Sequence, residues 1–414
     1  MRVAYFSPLP PDRSGIADYS ALLLPALSER IDVKVVRRGA RRPPFRTDVA
    51  LYQVGNNPEA HDWIVRALRR QSGVVVLHDF VLHHLVAGMT LGTGDRRAYL
   101  TALEREAGVL GRMLGHAVAD GSIAPLWETK AEEFPLAHWV LDHAEGVIVH
   151  SRYVEERVRA VGYTGPVWRV PMPVPPPPPA HDPGLPRGAP LIGSLGHLNE
   201  AKRIPQLLEA FALLRHTRPE ALLVLAGWTS PRLALDERLS RLGLERGRDV
   251  FVLDYVPEDR LWNLIRHCDV CVSLRSPTMG ETSGMVVRML AVGTPVVVSD
   301  VGWFSELPDE VAAKVPVDEW EVETIAAMLD LLAGDDDLRR RMGEAGRELA
   351  RSHHAVGHVA DLYVAALEEV AGRDDVELRV LRDVAQAAGE VGLTPDSAEI
   401  EILTKRLREV GFGA

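Results

Sequence analysis

Residues 274–308, LRSPTMGETSGMVVRMLAVGTPVVVSDVGWFSELP, decide the fold. An apolar strand over residues 270–274 runs into the turn Ser276-Pro277-Thr278-Met279-Gly280. A helix opens near Thr282-Ser283-Gly284, stops at Gly293 and is followed by a second apolar strand over 295–299. Strand, helix and strand in that order make a parallel α/β unit. The free N–H groups of a helix start, crowded by nothing bulkier than Thr, Ser and Gly, form an anion site favoured by the helix dipole. Glu281 stands at its mouth. A carboxylate repels phosphate, so Glu281 is expected to accept hydrogen bonds from something else, such as sugar hydroxyls. On this segment alone, an ordinary turn with a solvated Glu281 reads equally well.

Outward from there, strand-like runs alternate with helical stretches. The first half shows them at 3–6, 33–36, 49–53, 73–77 and 146–149, with a long amphipathic helical region from Leu82 to His143. VPMPVPPPPPAHDPGLPRGAP, residues 170–190, is too rich in proline to pair inside a sheet and reads as a stiff linker. Alternation restarts at 191–195, 221–227, 249–253, 270–274, 295–299 and 312–315, and from Glu321 onward the pattern is mostly helical. The expected architecture is α/β, with two Rossmann-like domains facing a central cleft. Residues 1–172 would form the first, 173–190 the linker and 191–352 the second. C-terminal helices over 353–414 would cross back toward the first domain. Ligands in such sheets bind beyond the carboxyl ends of the strands.

A chain of 414 residues is too long for one core and implies two domains. With 46% hydrophobic and 25% charged residues it reads as soluble and globular, and a net charge of −11 argues against a nucleic-acid partner. MRVAYFSPLPP carries no signal pattern and no apolar run approaches a membrane span, so a cytoplasmic location is expected. Cys268 and Cys271 have CxxC spacing without a second pair, which fits buried reduced thiols better than zinc. The basic run KVVRRGARRPPFR, residues 34–46, reads either as a peripheral contact with an anionic membrane at its inner face or as a solvated loop.

Several loops should face the cleft. Gly15 and Ile16 follow a proline-rich turn and open a helix; Gly15 either lets backbone approach a ligand or merely permits the turn. His78 and Asp79 end a strand, so His78 is expected to face the cleft while Asp79 orients backbone or contacts a hydroxyl. Asn56 and Asn57 read as turn formers more readily than as hydroxyl readers. Gly196 ends a strand ahead of Lys202 and Arg203, two cations that oppose the dipole of the helix they precede. A phosphate bound between them would remove that conflict.

With this cleft assembled, the chain resembles the GT-B retaining glycosyltransferases of family 4, also known as glycosyltransferase group 1. The resemblance covers most of residues 1–370. It rests on SGIADYS (14–20), LHDF (77–80), GHLNEAKRI (196–204), LDYVPEDRLWNLIRHCDVCVSLR (253–275) and GETSGMVVRMLAVGTPVVVSD (280–300). It implies Gly15 and Ile16 near a donor diphosphate, His78 beneath the transferred sugar, Lys202 on the diphosphate and Glu281 on sugar hydroxyls. Thr282, Ser283 and Gly284 would offer amides to phosphate, with Gly196 and Arg275 beside them, and Tyr255 and Val256 would cradle the base. Two positions depart from the family pattern. Arg288 stands where a second, ribose-binding glutamate falls, and His197 replaces an arginine, leaving Arg203 to supply the missing charge.

The expected reaction moves a sugar from a nucleotide diphosphate sugar to an acceptor hydroxyl on a glycan, a lipid-linked sugar or a small molecule. His78, Asp79, Lys202 and Glu281 are the candidate catalytic groups, and neither cofactor nor metal is required. An inactive sugar-nucleotide binder or scaffold, and an epimerase or phosphorylase on the same architecture, are the alternatives.

Overall fold

The computed structural model describes residues 1–12, 14–39, 47–186, 190–371, 376–395 and 397–409. Residues 40–46, most of the basic run expected to contact a membrane, lie outside them. Strands β1 (Arg2–Phe6), β2 (Asp32–Val36), β3 (Val49–Val54), β4 (Gly73–Leu77), β5 (Ala144–Val149) and β6 (Val167–Arg169) form one sheet, ordered β2-β1-β3-β4-β5-β6. Strands β7 (Leu191–Leu195), β8 (Leu222–Ala226), β9 (Val250–Leu253), β10 (Val270–Ser273), β11 (Val296–Ser299) and β12 (Ala312–Val315) form a second, ordered β12-β11-β10-β7-β8-β9. Within each sheet every neighbouring pair runs parallel. Central strands such as GVVVL in β4 and LIGSL in β7 are buried throughout, because helices cover both faces of a parallel sheet.

The chain reverses its direction across the second sheet between β7 and β10, and across the first between β1 and β3. At such points the loops leaving adjacent strands diverge and open a crevice. The loops after β7 and β10 carry Gly196–Lys202 and Arg275–Glu281; those after β1 and β3 carry Ser14–Ile16 and Asn56–Asn57.

Three backbone clasps join the two sheet domains beside the loop after β10. Met279 O accepts from Phe80 N at 2.8 Å and Val81 N at 3.0 Å. Glu132 accepts from Thr278 N at 3.0 Å, and Glu306 accepts from Arg152 N at 3.0 Å and Tyr153 N at 2.7 Å. Further round, helix Val356–Ala371 reaches the first sheet's helix Gly15–Ser28: the Tyr363 and Tyr19 hydroxyls lie 2.6 Å apart, and Arg30 pairs with Asp361 at 2.6 Å.

One feature differs from the sequence expectation. β6 went unread because it is a three-residue edge strand running straight into the proline-rich stretch. The region from Leu82 to His143 is largely helical as expected, with helix Arg96–Ala119 broken at Ala107–Gly108 and flanked by short helices. Described linker residues 170–186 carry no sheet strand, only the bridge from Val174 to Ala355. Both cysteines are free and buried. Among the described residues no helix is long and apolar enough to cross a membrane. Residues 368–414 form a separate compact unit that contains helices Val376–Glu390 and Ala398–Glu409.

Helix Gly284–Val292 starts at Ser283, whose hydroxyl accepts from Val286 N, and ends at Gly293 with φ 80°. Its far end is fixed by backbone contact with helix Asp336–His353: a Cβ on Gly343 would sit 2.2 Å from Gly293 O. Gly343→Ala should therefore destabilise the chain by about 1–3 kcal/mol through overpacking. Gly389→Ala, whose added methyl meets nothing within 4 Å, should be neutral or stabilise by about 0.5 kcal/mol. Denaturant midpoints of the two variants check the contrast.

Candidate functional site

Between the two sheets lies a cavity of about 580 Å³, walled by loops from both. The structure places Gly15, Ile16, His78, Asp79, Tyr255, Val256, Glu281, Thr282, Gly284 and Arg288 on its wall. Lys202 and Arg275 stand behind Glu281, close enough for their charges to act on one another. Arg203 does not join them.

Glu281 is held from three directions. Its Oε1 lies 2.8 Å from Arg275 Nε, an ionic contact rather than an aligned hydrogen bond. Its Oε2 accepts from Met279 N at 2.7 Å and Thr278 Oγ1 at 3.2 Å. The side chain is 19% exposed, so the solvated reading of Glu281 falls. Past it, the N–H groups of Thr282, Ser283 and Gly284 find no backbone acceptor among the described residues. Thr282 Oγ1 is buried and also unpartnered. A helix start with free amides and an orphan hydroxyl is a site prepared for an acceptor-rich ligand such as phosphate.

Lys202 ends a 3-10 turn, Glu200–Lys202, capped by Asn199, whose side chain accepts from Lys202 N at 2.9 Å. Its ammonium forms no ion pair among the described residues and approaches Gly196, where a Cβ would lie 4.0 Å from Nζ. Burial, and then the Arg275 charge, pull its pKa down to about 7. Two cations facing an anion site without full neutralisation is a strained arrangement that a bound anion relieves. Gly196 itself has φ +112°, which favours glycine.

Arg203 requires a correction. It was expected to supply phosphate charge in place of the family arginine at His197. Instead it adopts φ 54° and donates to Glu321 through Nε at 3.0 and 3.1 Å and through a close Nη2 contact. Glu321 is only 3% exposed, and an unpaired buried carboxylate is costly, so it captures the nearest guanidinium. Arg275 is the second cation beside Glu281. Sequence reasoning counted Arg275 among the binding residues but did not see that it faces Glu281. His197 is exposed and tilts against Trp228 at 4.5 Å; burial, then Lys202 and Arg275, lower its pKa and keep it neutral.

On the opposite wall, Asp79 accepts from Asn56 N at 2.8 Å, so it orients backbone. Burial, then Glu281, push its carboxyl up to about 7. His78 Nε2 lies 2.7 Å from Gln53 Oε1, its ring edge-on to Tyr19 at 4.7 Å, and burial holds its pKa well below the usual imidazole range. Asn57 caps helix Pro58–Leu68, a turn-forming role, whereas Asn56 Oδ1 accepts from Leu85 N, 29 residues away, and ties two loops together. A Cβ on Gly15 would meet nothing within 4 Å, leaving that side of the helix start open to the cavity. Arg288 donates to Gly284 O at 3.2 Å and pairs with Glu258 at 3.0 Å. Tyr255 is 83% exposed.

Comparison with known proteins bears on family and fold. Residues 181–349 match the family model of glycosyl transferases group 1. A D-inositol 3-phosphate glycosyltransferase of Nocardia farcinica is 30% identical over 237 residues, 54% of this chain and 48% of that protein. An uncharacterised glycosyltransferase of Bacillus subtilis is 28% identical over 178 residues, 43% of this chain and 48% of that protein. The chain thus spans about half the length of the curated relatives it matches. Among solved structures, sucrose-phosphate synthase from Thermosynechococcus elongatus superposes with TM-score 0.59 at 17% identity, covering 89% of this chain and 99% of that one. An Anabaena protein solved in complex with UDP and glucose gives TM-score 0.58 at 13% identity, covering 89% and 100%. At such identities the likeness establishes the fold, which is that of the GT-B glycosyltransferases.

The neighbouring cations should separate on substitution. Arg203→Ala strands the Glu321 carboxylate and should cost about 3 kcal/mol of stability. Lys202→Ala removes a desolvated charge and should leave stability unchanged or higher. Thermal unfolding of the ligand-free variants reads both.

Proposed function

We propose that the chain is a retaining glycosyltransferase that moves a sugar from a nucleotide diphosphate sugar to an acceptor hydroxyl. The carrying observation is Glu281 on the wall of a cavity shared by two Rossmann-like domains, with Arg275 on one of its oxygens, Lys202 within range of both charges and the free amides of Thr282, Ser283 and Gly284 next along the chain. The match of residues 181–349 to the group 1 model supports it, as do the names of the matched relatives.

As the glycosidic bond breaks, negative charge develops on the departing diphosphate and positive charge on the sugar ring. Lys202 and the amides of Thr282, Ser283 and Gly284 stabilise the former, and being fixed before reaction they need no reorganisation. These groups supply the charge that a divalent ion would otherwise bring. Glu281, with Arg275 on one oxygen and backbone on the other, is a poor nucleophile and a good positional acceptor for sugar hydroxyls. Neutral His78 sits on the opposite wall. Retention then follows from attack on the face the diphosphate leaves, with its oxygen taking the acceptor's proton. Tyr255 and Val256 flank the base, while Arg288 occupies the ribose position with a guanidinium held by Glu258. The site faces an acceptor drawn from glycans, lipid-linked sugars or small molecules.

Incubation with a panel of nucleotide sugars and acceptor extracts should release nucleoside diphosphate. Binding without turnover on any acceptor would favour an inactive binder instead. A bound nucleoside diphosphate should raise the unfolding temperature by mass action, and Lys202→Ala should abolish most of that shift.

The low pKa of Lys202 sets a pH dependence. Free Lys202 loses its proton above about pH 7, whereas the phosphate-bound ammonium stays charged, so binding above pH 7 takes up one proton. Affinity for UDP or GDP should fall about tenfold per pH unit between pH 7 and 9. Calorimetry in buffers of different ionisation enthalpy should report that proton, and Lys202→Ala should lose it.

A further inference from the structure

The mechanism above leaves two buried histidines on the cavity wall unused. His61 is 1% and His150 is 7% exposed, and both line the cavity with His78 and Asp79. In each, Nδ1 faces a carbonyl oxygen: Asn57 O at 3.0 Å for His61 and Val170 O at 2.8 Å for His150. A carbonyl only accepts, so each Nδ1 carries the proton and each Nε2 is left with a bare lone pair. Both Nε2 atoms are buried and have no partner among the described residues. Burial pulls both rings down to about 4, so both remain neutral across the physiological range. Buried polar atoms left unsatisfied are rare, and two on one cavity wall mark a place where a ligand completes the bonding.

We infer that His61 and His150 form an acceptor subsite that takes hydroxyl hydrogens from an uncharged polyol. A lone pair on a neutral ring attracts an O–H donor and repels phosphate oxygens, which carry lone pairs of their own. Asp18 and Asp79, which line the same cavity, offer phosphate no cation. The cavity lining therefore holds two kinds of group: the Glu281 loop with its cation and free amides for the diphosphate, and the His61 and His150 lone pairs for a neutral acceptor. The rings of His78, His150 and Tyr19 pack against one another, with centroids 5.1 Å apart for His78–His150, 4.7 Å for Tyr19–His78 and 5.4 Å for Tyr19–His150. This inference rests on the transferase reading for the meaning of the ligand, though not for the existence of the site.

The test is histidine-selective 15N NMR of the full chain, titrated separately with neutral polyols (glucose, glycerol, myo-inositol), with inorganic phosphate and with UDP or GDP. At least one polyol should move the unprotonated Nε2 signals of His61 and His150, and inorganic phosphate should leave them in place. His61→Phe and His150→Phe should each weaken polyol binding about tenfold, the loss of one hydrogen bond, with nucleoside diphosphate affinity unchanged. Signals unmoved by every polyol, or moved by inorganic phosphate, would overturn the inference, and the unmodified chain alone suffices to show either. Polyol shifts in a chain that binds no nucleoside diphosphate would keep the hydroxyl site and sink the transferase reading.

Discussion

The peptide at Met279 joins the fold to the site. Its carbonyl accepts two amides from the first sheet's domain, Phe80 and Val81, while its own N–H donates to Glu281. Buried backbone groups must be satisfied, and here one residue satisfies groups on both sides of the cleft. Moving the loop after β10 away from the first domain would leave Phe80 N and Val81 N without their acceptor, and turning Glu281 would leave Met279 N unpaired. Glu132 on Thr278 N and Glu306 on the start of helix Arg152–Ala160 hold the same seam with carboxylates. The same short segment thus carries both the seam between the two sheets and the bonds that hold Glu281.

Charge is distributed across the cavity with the same economy. Arg275 neutralises Glu281, and Lys202 is desolvated with no ion-pair partner among the described residues. In the proposed reaction that unresolved charge waits for the diphosphate, whose departure it stabilises. The far wall offers neutral imidazoles and a carboxyl held up near 7, surroundings suited to hydroxyls. Low local dielectric makes both preferences strong, because an unpaired group of either kind is costly to bury.

The fold was largely legible in the chain, since parallel strands covered on both faces read as short, continuous apolar runs. LIGSL at 191–195 and GVVVL at 73–77 fall where the alternation put them. A lone edge strand such as β6 has too few residues to show a period, and the break at Gly108 (φ 59°) is invisible in an amphipathic pattern. At the site, motif order pointed to loops that meet in the structure: Glu281, Thr282 and His78 line one cavity, with Lys202 close enough for its charge to act with Glu281. What it could not reveal was pairing. Lys202 and Arg203 are adjacent and alike in sequence, yet the left-handed backbone at Arg203 and a buried glutamate 118 residues away turn it toward Glu321. His61 was missed because a histidine in an amphipathic helix carries no mark of its lone pair until the tautomer is fixed by Asn57 O. His150, at the end of β5, escaped for the same reason.

The most direct measurement is a crystal structure of the chain with UDP or GDP bound. The account predicts a β-phosphate within hydrogen-bond distance of Lys202 Nζ and of at least one amide among Thr282, Ser283 and Gly284, with Arg203 still on Glu321. A diphosphate seated away from Lys202 and those amides, or one that draws Arg203 off Glu321, would contradict it.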